Sequence, residues 1–328
     1  MKNSKILAIT GTNGSGKTTL AFKIAKELER TDKEVCIISF DTLSPLATIK
    51  DNYENYNVSL GYLLTKDTSL SQREIYSAMI PITDKISIIS YIYGDMKDKY
   101  PKLVPGKVRD FLDLINSDMV DYIIIDASSN LLKVENRVII QVADMILKVL
   151  EPNYKSISYN KTYNLMLNTI DVDTNKITTL LNKINYNEDY KIYANKMGLK
   201  YYKELSYVEE IPKNVNSPMK KLEERTHESK KYVKQFKILM KDLYKLKYEE
   251  ELLESKIEIK EKVKPVIESR TANEINKKIE SMKEITNKEE KEIKKKGGFF
   301  NMFNKKINTN KEIEKPKQNN FVDEGGEF

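Results

Sequence analysis

The segment Gly11-Thr12-Asn13-Gly14-Ser15-Gly16-Lys17-Thr18 constrains this chain more than any other feature. It lies between a short apolar run, Ile6 to Ile9, and a stretch where Leu20, Ile24 and Leu28 recur at helical spacing. A strand that enters a glycine-rich turn and opens a helix presents backbone N–H groups to a polyphosphate, and the helix dipole adds to the attraction. Gly11, Gly14 and Gly16 permit close backbone approach, Lys17 reaches the β- and γ-phosphates as a point charge, and the Thr18 hydroxyl ligates Mg²⁺. The pattern therefore predicts a nucleoside-triphosphate site lined by Gly11, Thr12, Asn13, Gly14, Ser15, Gly16, Lys17, Thr18 and Thr19.

Such a site needs a second acid on the metal side. Asp121-Tyr122-Ile123-Ile124-Ile125-Asp126 reads as an apolar strand ending in a carboxylate, which suits Asp126 to that role beside Thr18. Asp41 follows another apolar run, Val35 to Phe40, and emerges at the same sheet edge, where a carboxylate can orient the attacking water. The alternative for Asp41 is an ordinary turn residue next to Ser44-Pro45. Guanine-reading elements carry Asn-Lys-x-Asp, whereas Asn182-Lys183-Ile184-Asn185 lacks the Asp. Adenine is the expected base, with Asn182 as its contact or else as a plain strand-end turn residue.

The rest of residues 1–247 agrees with a doubly wound α/β fold, a mostly parallel sheet with helices on both faces. Ile6 to Ile9, Val35 to Phe40, Ile86 to Ile89, Tyr122 to Ile125, Met145 to Leu150 and Ile177 to Leu181 are near-continuous runs of Ile, Val and Leu. Strands covered on both faces have that composition. Val108, Phe111, Leu112 and Ile115 repeat at helical spacing, and Tyr232, Phe236, Leu239, Leu243 and Leu246 predict a final helix packed on the domain. Beyond it, residues 248–296 hold 26 charged side chains among 49, the composition of a solvated helix or a disordered arm. Residues 297–328 form an aromatic-tipped tail.

Composition removes several classes. With one cysteine, Cys36, no disulfide can form within the chain, and a reducing cytosol is the expected compartment. With one histidine, His227, in a polar stretch, histidine zinc sites and a Ser-His-Asp triad are not expected. No apolar run approaches the ~18 residues of a membrane span.

Taken in order, these residues resemble ParA/MinD-type ATPases. The match runs through the loop to Thr19, Ile38-Ser39-Phe40-Asp41, Ser59 to Leu64, Asp121 to Asp126, Ala143-Asp144, Leu181-Asn182-Lys183 and Ile211-Pro212, covering residues 1–247. The resemblance implies an ATP-bound sandwich dimer that hydrolysis resets, in a cycle that places plasmids, chromosomes, division machinery or secretion apparatus. It implies phosphate and metal contacts at Lys17 and Thr18, water activation at Asp41, the Walker B acid at Asp126 and the adenine contact at Asn182. Three departures bear on turnover. The second lysine that the family places after the first glycine of the loop is Thr12 here. Ser39 stands where an Asp is usual, and Ala127-Ser128-Ser129 replaces prolines after the Walker B Asp. Slow or partner-dependent hydrolysis is one expectation; a non-hydrolysing, nucleotide-bound scaffold is the other. A metabolite-directed phosphotransferase or amide-forming enzyme of the same fold lacks a visible substrate motif.

Partners are less defined. Up to residue 247 there are 38 Lys and Arg against 31 Asp and Glu, with 18 of each beyond, so the folded part carries the positive excess that non-specific DNA binding would use. Phe299, Phe300, Met302, Phe303 and Ile307 fall within about 160° on a helix, with lysines at both ends. That cluster suits the surface of an anionic membrane, a groove in a protein partner, or its own domain. The expected place is the cytosol, with the inner face of the membrane as the peripheral alternative.

Overall fold

The computed structural model describes residues 5–49, 58–92, 95, 103–117, 119–130, 132–213, 219–220, 222 and 224–245. All lie within one compact unit, Met1–Lys247. The charged arm and the tail with Phe299, Phe300, Met302 and Phe303 lie outside the described residues, as does Leu246.

The apolar runs become strands: β1 (Lys5–Gly11), β2 (Val35–Ser39), β3 (Ile80–Pro81), β4 (Ile86–Ser90), β5 (Tyr122–Asp126), β6 (Met145–Leu150), β7 (Ile177–Ile184) and β8 (Lys203–Ser206). Between and after them run α1 (Lys17–Glu29), α2 (Leu60–Thr65), α3 (Gln72–Ala78), α4 (Pro105–Ile115), α5 (Val134–Val142), α6 (Tyr154–Leu167), α7 (Tyr190–Lys196), α8 (Glu210–Lys213) and α9 (His227–Tyr244). The strands form one sheet in the order β3-β4-β2-β5-β1-β6-β7-β8, parallel throughout except where β3 runs against β4.

Parallel pairing requires crossover helices, and those helices cover the sheet faces. Burial in β1, β2 and β5 accordingly runs without alternation through Leu7, Ala8, Ile9, Ile37, Ile38, Ile123, Ile124 and Ile125. Leu20, Ile24 and Leu28 of α1 and Val108, Phe111, Leu112 and Ile115 of α4 are all fully buried. Each such side chain contributes about 1.5–3 kcal/mol by leaving water.

In α9, Tyr232, Phe236, Leu239, Met240 and Tyr244 face inward, while Leu243 is only half-buried. A reciprocal cap starts this helix: Ser229 N donates to Thr226 Oγ1 at 3.1 Å, and Thr226 N donates to Ser229 Oγ at 3.0 Å. The helix packs on β8. His227, its first residue, is exposed, and Cys36 is buried in β2, where burial raises its thiol pKa to about 12.

The sheet contains two strands that apolar runs do not announce. β3 is two residues long and one of them is proline, which suits an edge. β8 reads Lys-Glu-Leu-Ser, and only Leu205 and Ser206 are buried. β7 extends past Leu181, so Asn182 and Lys183 belong to its end, across a register shift where Lys183 adopts φ 59°.

Candidate functional site

The register brings three strand ends level. Ile9 pairs with Asp126 across β1 and β5, and Ser39 pairs with Asp126 across β2 and β5. The loops that follow β1, β2 and β5 therefore open at one carboxyl edge, where open α/β sheets place their ligands. A cleft of about 440 Å³ lies there, lined by Asn13, Gly14, Gly16, Lys17, Thr18, Thr19, Asp41, Leu43 and Asp126 to Asn130. That volume falls in the range of small-ligand sites.

At two of its glycines the loop needs space as well as a positive φ. Gly11 has φ 150°, and a Cβ there would stand 2.0 Å from the Val149 carbonyl oxygen. Gly16 has φ 92° and precedes α1; its Cβ would meet Asn182 Nδ2 at 2.7 Å. As the N-cap of α1, Gly16 supplies no side-chain cap, and no acid occupies the first turn. The first N–H groups of a 13-residue helix are thus left to an anion in the cleft.

Charged groups converge at that point. Lys17 Nζ donates to Ser129 Oγ at 2.7 Å and to the Thr12 carbonyl at 3.3 Å. Burial lowers its pKa, opposed by the carboxylates of Asp126 and Asp41. Thr18 Oγ1 donates to Asp126 Oδ2 at 2.5 Å, while Asp126 Oδ1 is buried with no hydrogen-bond partner. Burial raises the Asp126 carboxyl to about 6; Thr18 and Lys17 pull it down and Asp41 pushes it up. An orphaned carboxylate oxygen beside a hydroxyl is a fit for a hard cation, which would satisfy both. Among the described residues no cluster of three or more His, Cys, Asp or Glu could hold a metal. Mg²⁺ held by one carboxylate, a hydroxyl and phosphate oxygens requires none.

Asp41 lines the same cleft and is exposed. Its Oδ1 accepts from Leu43 N at 2.9 Å and Ser44 N at 3.2 Å, so it is a turn residue by geometry while facing Lys17 and Asp126 across the cleft. Asn182 is buried, and its Nδ2 donates to the Ser15 carbonyl at 2.7 Å. Among the described contacts it therefore braces the loop from behind and does not line the cleft. Thr12 is also buried, its hydroxyl 3.4 Å from Ser156 Oγ at the start of α6.

Several residues here escaped sequence reasoning. Lys183 Nζ donates to the Gly14 carbonyl and pairs with Glu151 at 2.6 Å, tying the loop to the end of β6. Ser156 joins Thr12 to Glu151, whose N–H donates to Ser156 Oγ at 3.0 Å. Ser129 holds Lys17, and buried Asn136 of α5 holds the loop that carries Ser129, donating to the Ser128 carbonyl at 2.9 Å and to that of Asn130. The Ala127-Ser128-Ser129 departure was the one visible signal for this group.

Comparison with known proteins agrees with this geometry. The family described as the CobQ/CobB/MinD/ParA nucleotide binding domain matches residues 6–324. No curated protein sequence matches the chain. Among solved structures, a ParA family ATPase from Chlorobium tepidum TLS is similar with TM-score 0.59 and 15% identity, over 71% of this chain and 98% of that one. A Borrelia burgdorferi B31 protein assigned to plasmid partition, bound to AMPPNP, gives TM-score 0.56 and 16% identity over 73% of this chain and 100% of that one. The septum site-determining protein MinD of Pyrococcus horikoshii OT3, complexed with Mg-ADP, gives 0.55 and 15% over 75% and 100%. At these identities the likeness is one of fold.

Proposed function

This chain belongs to the CobQ/CobB/MinD/ParA nucleotide-binding family, and from that premise we propose that it binds ATP with Mg²⁺ and hydrolyses it slowly or on stimulation by a partner. The observation that carries the reading is the orphaned Asp126 Oδ1 beside Thr18 Oγ1, at the mouth of a glycine loop whose Lys17 faces the same cleft. Thr18 and Asp126 would hold Mg²⁺, which neutralises phosphate charge when bound. Lys17 brings its ammonium group to the β- and γ-phosphates, and the first N–H groups of α1 close around the phosphate chain. Asp41, at the cleft mouth, accepts a hydrogen bond from the attacking water and aligns it with the γ-phosphorus. Adenine is favoured because Asn185 stands where a guanine-reading Asp is required. On this reading nucleotide state governs association with a second copy and with a cargo-bearing partner, as the resemblance to ParA/MinD-type ATPases implies.

Phosphate release by the full chain, with and without Mg²⁺, tests this reading. Turnover that falls at least tenfold in Lys17→Ala, roughly the loss expected for a phosphate-binding charge, supports it. Equal turnover in wild type and Lys17→Ala rejects it.

A second reading rests on Thr12. Its side chain is turned inward to Ser156, so this position offers no lysine to a partner copy. On that reading the chain is a nucleotide-bound scaffold. Stoichiometric ATP binding with negligible turnover, even beside DNA or lipid, would favour it over the first.

A further inference from the structure

The sheet buries a lysine that the proposed mechanism leaves without a task. Lys148 of β6 is 6% exposed; its Nζ donates to Asn160 Oδ1 of α6 at 2.7 Å and lies 5.0 Å from the centre of the Tyr163 ring. Asn160 Nδ2 donates to the Met197 carbonyl at 2.9 Å, which turns Oδ1 toward the lysine. Both contacts suit an ammonium group, but neither brings a full negative charge. Thr10 and Thr179 flank Lys148 on β1 and β7, and among the described residues no carboxylate pairs with it. Burial lowers its pKa to about 8, so at pH 7 it still holds its proton. A buried cation with no anion beside it destabilises the fold until an anion comes near.

The anion that the core lacks has a place close by. Lys148 is level with Thr10 in the register, and Val149 with Gly11, where the glycine loop begins. With strands about 4.8 Å apart and successive Cα atoms about 3.8 Å apart, the backbone of Lys148 stands about 6 Å from that of Gly11. The loop leans on the same helix face as the lysine does. Thr12 Oγ1 is 3.4 Å from Ser156 Oγ, and Ser156 lies one turn before Asn160 on the buried side of α6. Thr10, Thr12 and Ser156 are all buried, so little solvent enters between Lys148 and the back of the loop to screen its charge. Across a buried path of about 10 Å, one unit charge acting on another changes a binding constant about tenfold.

We infer that Lys148 is a second cation for the bound polyphosphate, standing behind the glycine loop and attracting the phosphate chain through the buried end of β1 without touching it. The inference rests on the nucleotide reading above. Titration of the full chain at pH 7 with ATP, ADP and AMP tests it, without Mg²⁺ so that ligand charge follows phosphate number. The variants are Lys148→Met, which keeps the length of the side chain, and Lys148→Gln, which keeps a donor toward Asn160. In both, the ATP dissociation constant rises about tenfold or more, the ADP constant rises less and the AMP constant least, because the lost attraction scales with ligand charge. An equal rise for all three nucleotides, as a displaced loop would give, or no rise, assigns Lys148 a packing part only and overturns the inference. Wild-type protein that binds none of the three, with or without Mg²⁺, overturns the nucleotide reading itself, a different result.

Discussion

Asp126 is the residue at which chemistry and stability meet. Its carboxyl is buried with one oxygen satisfied by Thr18, and burial lifts its pKa from 3.8 to about 6. An acid whose folded-state pKa is raised stabilises the fold fully below the unfolded value, and that stability is lost as pH rises through the folded value. The nucleotide-free protein therefore loses this contribution between about pH 4 and pH 6. Asp126→Asn mimics the protonated form, so the variant without nucleotide should be more stable than wild type at pH 7 by about 3 kcal/mol, with the gap closing toward pH 4. Urea unfolding at the two pH values measures this, and a gap that widens on acidification contradicts it. At this scale the shared location was legible: Lys17, Thr18, Asp41 and Asp126 all line one cleft. Asn182 was legible as a residue but not by its present contact, because the hydrogen bond to Ser15 spans 167 positions and no local pattern encodes it.

At the scale of elements, legibility followed burial. β1, β2, β4, β5 and β6 stood out because both faces are covered and nearly every residue is apolar. β8 did not, because an edge strand with a Lys-Glu start has a half-exposed composition, and pairing with β7 makes it a strand. Its inner face is closed by α9, whose Tyr232 and Phe236 stack with ring centroids 6.1 Å apart. Phe236 is 8% exposed, and Phe236→Ala should cost about 3–5 kcal/mol in chemical denaturation. Because α9 packs on β8 and none of its residues lines the cleft, ATP affinity of the folded variant should stay unchanged. A variant that keeps wild-type stability, or loses ATP affinity while folded, contradicts this assignment of α9.

For the whole molecule, the class of fold was readable and the strand order was not. Order depends on which apolar runs pair across long separations, such as Lys5 with Tyr122, and short β-branched runs are interchangeable in that respect. Among the described residues no helix is long and apolar enough to cross a membrane. As proposed, Gly11 to Thr18 and Asp126 together make a Mg²⁺-dependent ATP site. Calorimetric titration of the full chain with ATP tests it most directly. One ATP per chain, bound tighter with Mg²⁺ than without and lost in Lys17→Ala, is the predicted result; binding that ignores Mg²⁺ and survives Lys17→Ala would contradict it.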